Sequence, residues 1–168
     1  GFISGYTGSP LGGYDHALNH ASKFLEENHI VFQPGVNEDL AATAIHGTQQ
    51  ITLVEKLKYD GVFGVWYGKG PGVDRSGDAI KHGNYAGTSK YGGVLALAGD
   101  DHGAKSSTTA HQSDHAFIHF GMPILNPSTV QDYLDFGILG WAMSRYSGCW
   151  VGFKCVTDTV ESAASVDI

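Results

Sequence analysis

Gly93–Thr109 reads GVLALAGDDHGAKSSTT. The first part, Gly93 to Ala98, is apolar at nearly every position. A strand buried on both faces has this near-continuous character, and parallel strands are the ones buried on both faces. The second part, Gly99 to Thr109, turns abruptly to acids, a histidine, a lysine and hydroxyls. An apolar strand that empties into a polar loop is the unit of an α/β sheet, where ligands sit at the carboxyl ends of strands.

The same unit recurs along the chain. Phe2-Ile3-Ser4 reads as the end of a strand, followed by a loop from Gly5 to Gly13 (GYTGSPLGG). Tyr14 to Asn28 carries Ala17, Leu18, Ala21, Phe24 and Leu25 at helical spacing, which predicts one helix. Ile30-Val31-Phe32 is a second strand, closed by Gln33-Pro34-Gly35. Asn37 caps a helix to about Gln50, with Glu38 and Asp39 in its first turn. Gly61 to Tyr67 (GVFGVWY) is a buried strand, Gly68 to Gly72 (GKGPG) a loop, and Val73 to Tyr85 a helix. After the Gly99–Thr109 loop come a short helix, Ala110 to Phe120, and a strand, Pro123 to Leu125. Ser128 to Gln131 matches a Ser-x-x-Gln capping box and opens a helix to about Tyr146, with Val130, Leu134, Ile138 and Trp141 on one face. Gly148 ends that helix, and Cys149 to Val156 is the last strand. The alternation predicts a doubly wound α/β domain over 1–156, its sheet mostly parallel with helices on both faces. Loops 5–13, 68–72 and 99–109 should then converge at one end of the sheet. The tail, 157–168, is small and polar, and is assigned no structure.

Composition narrows the function. The chain has 168 residues, enough for one domain with a sizeable core. Its 42% hydrophobic content excludes intrinsic disorder. No run approaches the length of a membrane-spanning helix. Only 10 Lys and Arg stand against 17 Asp and Glu, a net charge of −7, so a nucleic-acid partner is not expected. Cys149 and Cys155 form no disulfide framework and read as reduced thiols of a cytoplasmic protein. Gly makes up 24 of the 168 residues, well above the usual share, which suits close backbone approach at strand ends. The opening GFISGYTG starts inside a strand and its loop, so the chain reads as a piece of something longer.

Two places could carry chemistry. Glu38 heads a helix that is apolar on most sides. A carboxylate in a first turn commonly does no more than offset the helix dipole. One held against an apolar helix also needs a partner, and is suited to sharing a proton. The second place is Asp100, Asp101 and His102, with His111 and His115 four residues apart and His119 continuing the row. These could bind a metal as in a hydrolase, or simply line a polar pocket. No fixed zinc spacing is present, and no metal ligand is assigned. GKGPG is neither a P-loop nor a dinucleotide-binding turn. No GDG motif for a Mg²⁺-diphosphate site occurs, and no cysteine cluster for iron–sulfur.

The long stretches SGYTGSPLGGYD, VFQPGVNEDLAATA, YDGVFGVWYGKGPGVDRSGDA, GGVLALAGDDHGAKSSTTAHQSD and RYSGCWVGFKCV resemble the fused bacterial indolepyruvate ferredoxin oxidoreductases. These are a branch of the 2-oxoacid:ferredoxin oxidoreductases. The resemblance runs from Gly1 to about Val156 and falls on their thiamine-diphosphate pyrimidine-binding domain. It implies oxidative decarboxylation of a 2-oxoacid to an acyl-coenzyme A, with electrons passed through iron–sulfur clusters to ferredoxin. It makes Glu38, in P-G-x-N-E, the catalytic residue that meets N1′ of the aminopyrimidine. It puts Gly8, Pro34 and Gly68 beside the cofactor, and Ser9, Lys105 and Ser106 beside the substrate. It implies that Mg²⁺ and the diphosphate are held by a partner domain, that the whole enzyme is a homo-oligomer, and that the isolated chain is inactive. Besides the metal-dependent hydrolase, a non-catalytic domain kept for assembly is the competing reading.

Overall fold

The computed structural model describes residues 1–168. Strand β1 (Phe2–Gly5) is followed by α1 (Gly12–His20) and α2 (Ser22–Glu27), then β2 (Val31–Phe32) and α3 (Glu38–Gln49). A 3-10 turn at Ile51–Leu53 leads towards β3 (Phe63–Lys69), α4 (Gly70–Arg75) and α5 (Gly77–Ala86). Then come β4 (Gly93–Asp100), α6 (Asp114–His119), β5 (Ile124–Leu125), α7 (Val130–Ser147), β6 (Val151–Val156) and α8 (Thr157–Val160).

The six strands form one sheet in the order β2-β1-β3-β4-β6-β5, and every pairing is parallel. The fold is doubly wound α/β. Helices α3, α4, α5 and α6 cover one face, over a core of Trp66, Val73, Ile80, Phe117 and Trp150. Helices α1, α2 and α7 cover the other, over Leu18, Val65, Tyr67 and Phe153. Connections that step one way along the sheet lie on one face, and those that step back lie on the other, as same-handed crossovers require. The direction reverses between β1 and β3. Their following loops part to opposite faces there and leave a crevice at the carboxyl edge.

Several boundaries differ from the sequence reading. The helix expected over 14–28 is two helices, broken at Ala21, and Phe24 is exposed rather than in the core. The expected loop 68–72 does not exist as a loop. Strand β3 runs through Lys69 and α4 starts at the next residue, with a proline in its first turn, where a missing N–H costs nothing. Strand β4 likewise extends to Asp100. Helix α7 is capped by Thr129, not Ser128. The Thr129 hydroxyl accepts from Asp132 N at 3.2 Å, and the Asp132 carboxylate accepts from Thr129 N at 3.0 Å. Gly148 closes the helix in the left-handed region at φ 77°. The helix lays Tyr133, Phe136, Gly140, Trp141 and Ser144 on the sheet, so Trp141 of the expected stripe packs inwards, whereas Leu134 and Ile138 are exposed, Ile138 by 74%. The tail is not wholly irregular: α8 follows β6 directly, and Thr157 Oγ1 donates to the Asp100 carbonyl at 3.1 Å.

Between α1 and α7 the sheet is left partly uncovered. An apolar groove of about 690 Å³ lies there, floored by Val65, Leu95, Leu97 and Phe153. No helix is long and apolar enough to cross a membrane.

Candidate functional site at the carboxyl edge

Glu38 is the first residue of α3. Asn37 sits in extended conformation before it and accepts from Leu40 N at 2.9 Å, so the cap fixes where the helix starts. The fully buried Trp66 donates from Nε1 to the Glu38 carbonyl at 3.0 Å, which ties the helix start to the middle of β3. The half-buried side chain lies against two glycines. A Cβ on Gly72 would come within 2.8 Å of Glu38 Oε1, and one on Gly68 within 3.4 Å of its Cγ. Bare backbone at Gly72 is what lets the carboxylate lie there, whereas at Gly68 a Cβ would meet the Trp66 ring first, at 2.8 Å. Next to it, Asp39 pairs with Arg75 of α4 at 3.2 Å, pinning α3 to α4.

The three polar segments meet on this edge, each following a strand of the same sheet. Ser106 Oγ lies 2.8 Å from Ser9 Oγ, joining the segment after β4 to the one after β1. Lys69 Nζ donates to the Ser106 carbonyl at 3.1 Å, joining β3 to both. Gly8 packs on the Lys69 side chain, and Gly99 lies under Pro10 and Leu11, where a Cβ would be 2.9 Å from the proline ring.

The residues singled out from sequence thus fall in three groups. Ser9, Ser106 and Gly8 come together around Lys69. Glu38 and Gly68 come together around Gly72. Pro34 is exposed in the segment before α3, and the Lys105 ammonium turns away from Ser9 to pair with Asp158 of α8. Lys69, Gly72 and Trp66 were missed. Lys69 was hidden by the reading of GKGPG as a loop, although a lone lysine ending an apolar strand was its available signal.

Asp100 and Asp101 are both buried, and they do different work. Ser113 donates to Asp100 from N at 2.9 Å and from Oγ at 2.6 Å. The buried ammonium of Lys154 lies 3.7 Å from Asp100 and donates to Asp114 at 2.5 Å. Burial works to raise the Asp114 carboxyl, but the hydrogen bond and charge of Lys154 prevail and hold it below its ordinary range. Asp101 faces the other way. The N–H groups of Ser106 and Lys105 both donate to it at 2.9 Å. They, with the Ser107 and Ser106 hydroxyls, outweigh its burial and pull the carboxyl down to about 2.

The five residues of the metal reading do not converge. Asp100 and Asp101 point apart and are taken up by hydrogen bonds, and His102 and His115 are exposed. His111 precedes α6 instead of lying on it with His115; its Nε2 is 2.9 Å from Asp74 and its Nδ1 is 3.5 Å from Asp100. No group of three or more His, Cys, Asp or Glu side chains is arranged to hold a metal ion. Cys155 is buried, and that burial, with Asp100 nearby, pushes its thiol far above the ordinary range, so it is no nucleophile.

Fold and edge together define a doubly wound parallel α/β domain with a carboxylate and a hydroxyl–lysine corner at its switch point. No family model matches the chain, and no curated protein matches it.

Proposed function

We propose that the chain is the pyrimidine-binding domain of a thiamine-diphosphate-dependent 2-oxoacid:ferredoxin oxidoreductase of the indolepyruvate type. The observation that carries this reading is Glu38. It sits half-buried at the carboxyl edge, heads a capped helix, and rests its carboxylate on Gly72, with no hydrogen bond from within the chain reaching that carboxylate. A carboxyl group so placed fits the demand of a buried aminopyrimidine for an acid against its ring nitrogen.

When bound, thiamine diphosphate supplies the carbon nucleophile and electron sink for decarboxylating a 2-oxoacid. Glu38 holds a proton at the pyrimidine N1′. Gly72 leaves room for the Glu38 side chain to reach it. The Ser9–Ser106 hydroxyl pair and the Lys69 charge suit a substrate carboxylate on the same edge. This chain has no cationic cluster for a diphosphate, so that group, with Mg²⁺, falls to a partner domain. The iron–sulfur clusters, the coenzyme A site and the docking of ferredoxin fall elsewhere in a homo-oligomeric enzyme. A cytoplasmic location follows from the same reading.

The test is Glu38→Gln in the intact enzyme. The fold, followed by circular dichroism, should be kept, while turnover of indolepyruvate falls by orders of magnitude. Near wild-type turnover in that variant would sink the assignment.

A further inference from the structure

Strand β4 ends on Asp100, and Asp101 follows it directly, with the two carboxylates turned to different partners. Their consequence is felt in the segment that follows. Asp101 takes the N–H groups at 105 and 106, on the outgoing arm. Asp100 takes both donors of Ser113, on the returning arm. The segment between is therefore tied at both ends to a single dipeptide, and Ser106 is carried on its outgoing arm.

The Ser106 hydroxyl has one hydrogen and two acceptors in reach: Ser9 Oγ at 2.8 Å and Asp101 Oδ2 at 3.3 Å. The choice matters to Ser9. If Ser106 donates to Asp101, the Ser9 hydrogen is drawn inwards to Ser106. If Ser106 donates to Ser9, the Ser9 hydrogen is free to point outwards to an anion. The Asp101 carboxylate keeps lone pairs beyond its two backbone N–H donors and still competes for the hydroxyl, but its contact is the longer of the two. The shorter contact is the outward one.

We propose that Asp101 is a positioning residue. By fixing the backbone at Ser106 it sets the Ser9–Ser106 pair to donate to the substrate carboxylate, and so governs substrate affinity rather than the chemical step. This rests on the reading of the edge as a 2-oxoacid site.

The experiment uses the intact enzyme with Asp101→Asn, Ser106→Ala, Ser106→Thr and the double variant Asp101→Asn/Ser106→Ala. Both single losses should raise KM for the 2-oxoacid about tenfold and leave kcat within twofold. The double variant should be no worse than either single one, because the two residues act through one hydroxyl. Ser106→Thr, which keeps the hydroxyl, should hold KM near wild type. An unchanged KM in Ser106→Ala, a fall in kcat alone, or additive effects in the double variant would each overturn the proposal. Ser106 is exposed, so its variants report even if Asp101→Asn does not fold. Glu38→Gln run alongside separates the two claims. Retained turnover there removes the thiamine reading, whereas an unmoved KM beside a dead Glu38→Gln removes only the role of Asp101.

Discussion

Gly72 and Gly83 are both helical glycines packed against a side chain, yet they should respond to alanine in opposite ways. A Cβ at Gly72 meets the Glu38 side chain at 2.7 Å, and that chain ends free and can swing aside. Alanine also gains roughly 1 kcal/mol of helix propensity over glycine. Gly72→Ala should therefore melt within a few degrees of wild type while losing most of its turnover, because the carboxylate has been displaced. A Cβ at Gly83 meets the ring of the fully buried Trp150 at 2.4 Å, which has nowhere to go. Gly83→Ala should lower thermal stability by about 1–3 kcal/mol. Equal melting losses in the two variants would contradict this account. Asp101 makes a second prediction at this scale. Its folded carboxyl lies near 2, below the roughly 3.9 of an unfolded aspartate. A depressed carboxyl stabilises above its unfolded value and stops doing so as pH falls through the folded one. Amide exchange at Lys105 and Ser106 should thus stay slow above about pH 4 and lose its protection on the way to pH 2. Glu38 was legible in the sequence because an Asn cap, an acidic first turn and an apolar helix coincide there. Asp101 was named as a metal candidate or as the lining of a polar pocket, never as a tie on the backbone that follows it. Nothing in a run of acids says that two of them will face apart.

Elements were legible where one signal dominated. Apolar runs placed β3, β4 and β6, and Asn37 and Gly148 marked where α3 starts and α7 stops. They were misread where glycine or an unbroken apolar composition spoke for two outcomes. GKGPG looks like a loop, yet glycines at a strand end and a proline in a first helical turn also make a direct strand-to-helix passage. Helix α7 has apolar residues all round, so period alone could not choose the buried side. Gly140 chose it: a Cβ there would come within 2.6 Å of Leu95, so only this side can lie so close to the sheet. The capping box lies one residue later than the motif suggested. Thr129→Ala should lower stability by about 1 kcal/mol, a fall of about 2–4 °C in melting temperature for a chain of this size. Differential scanning calorimetry would show it, and an unchanged midpoint would mean that Ser128 carries the cap instead.

At the scale of the molecule, the proposal makes this site half of a pocket. The carboxyl edge offers one free carboxylate, a hydroxyl pair and a single strand-end lysine, on a chain of net charge −7. A hydrogen bond to a charged group is worth only about 1.5–3 kcal/mol, too little to hold a flexible dianion. Isothermal titration of the 168-residue chain with thiamine diphosphate and Mg²⁺ should show no binding in the micromolar range. A low-micromolar dissociation constant would place a diphosphate site on this chain and move the cofactor from where the proposal has it.

The two outer strands have a consequence of their own. β2 and β5 are each two residues long, and each touches the sheet through only two register pairs. An open rim of unpaired N–H and C=O groups is what lets a sheet recruit foreign chains, and brevity is one of the devices that blunt it. The two longest and most hydrophobic strands, β3 and β4, lie in the interior of the sheet, and a stray extended peptide meets a two-residue strand at either flank. A sheet this rich in valine, leucine and tryptophan is thereby kept from growing sideways into fibres.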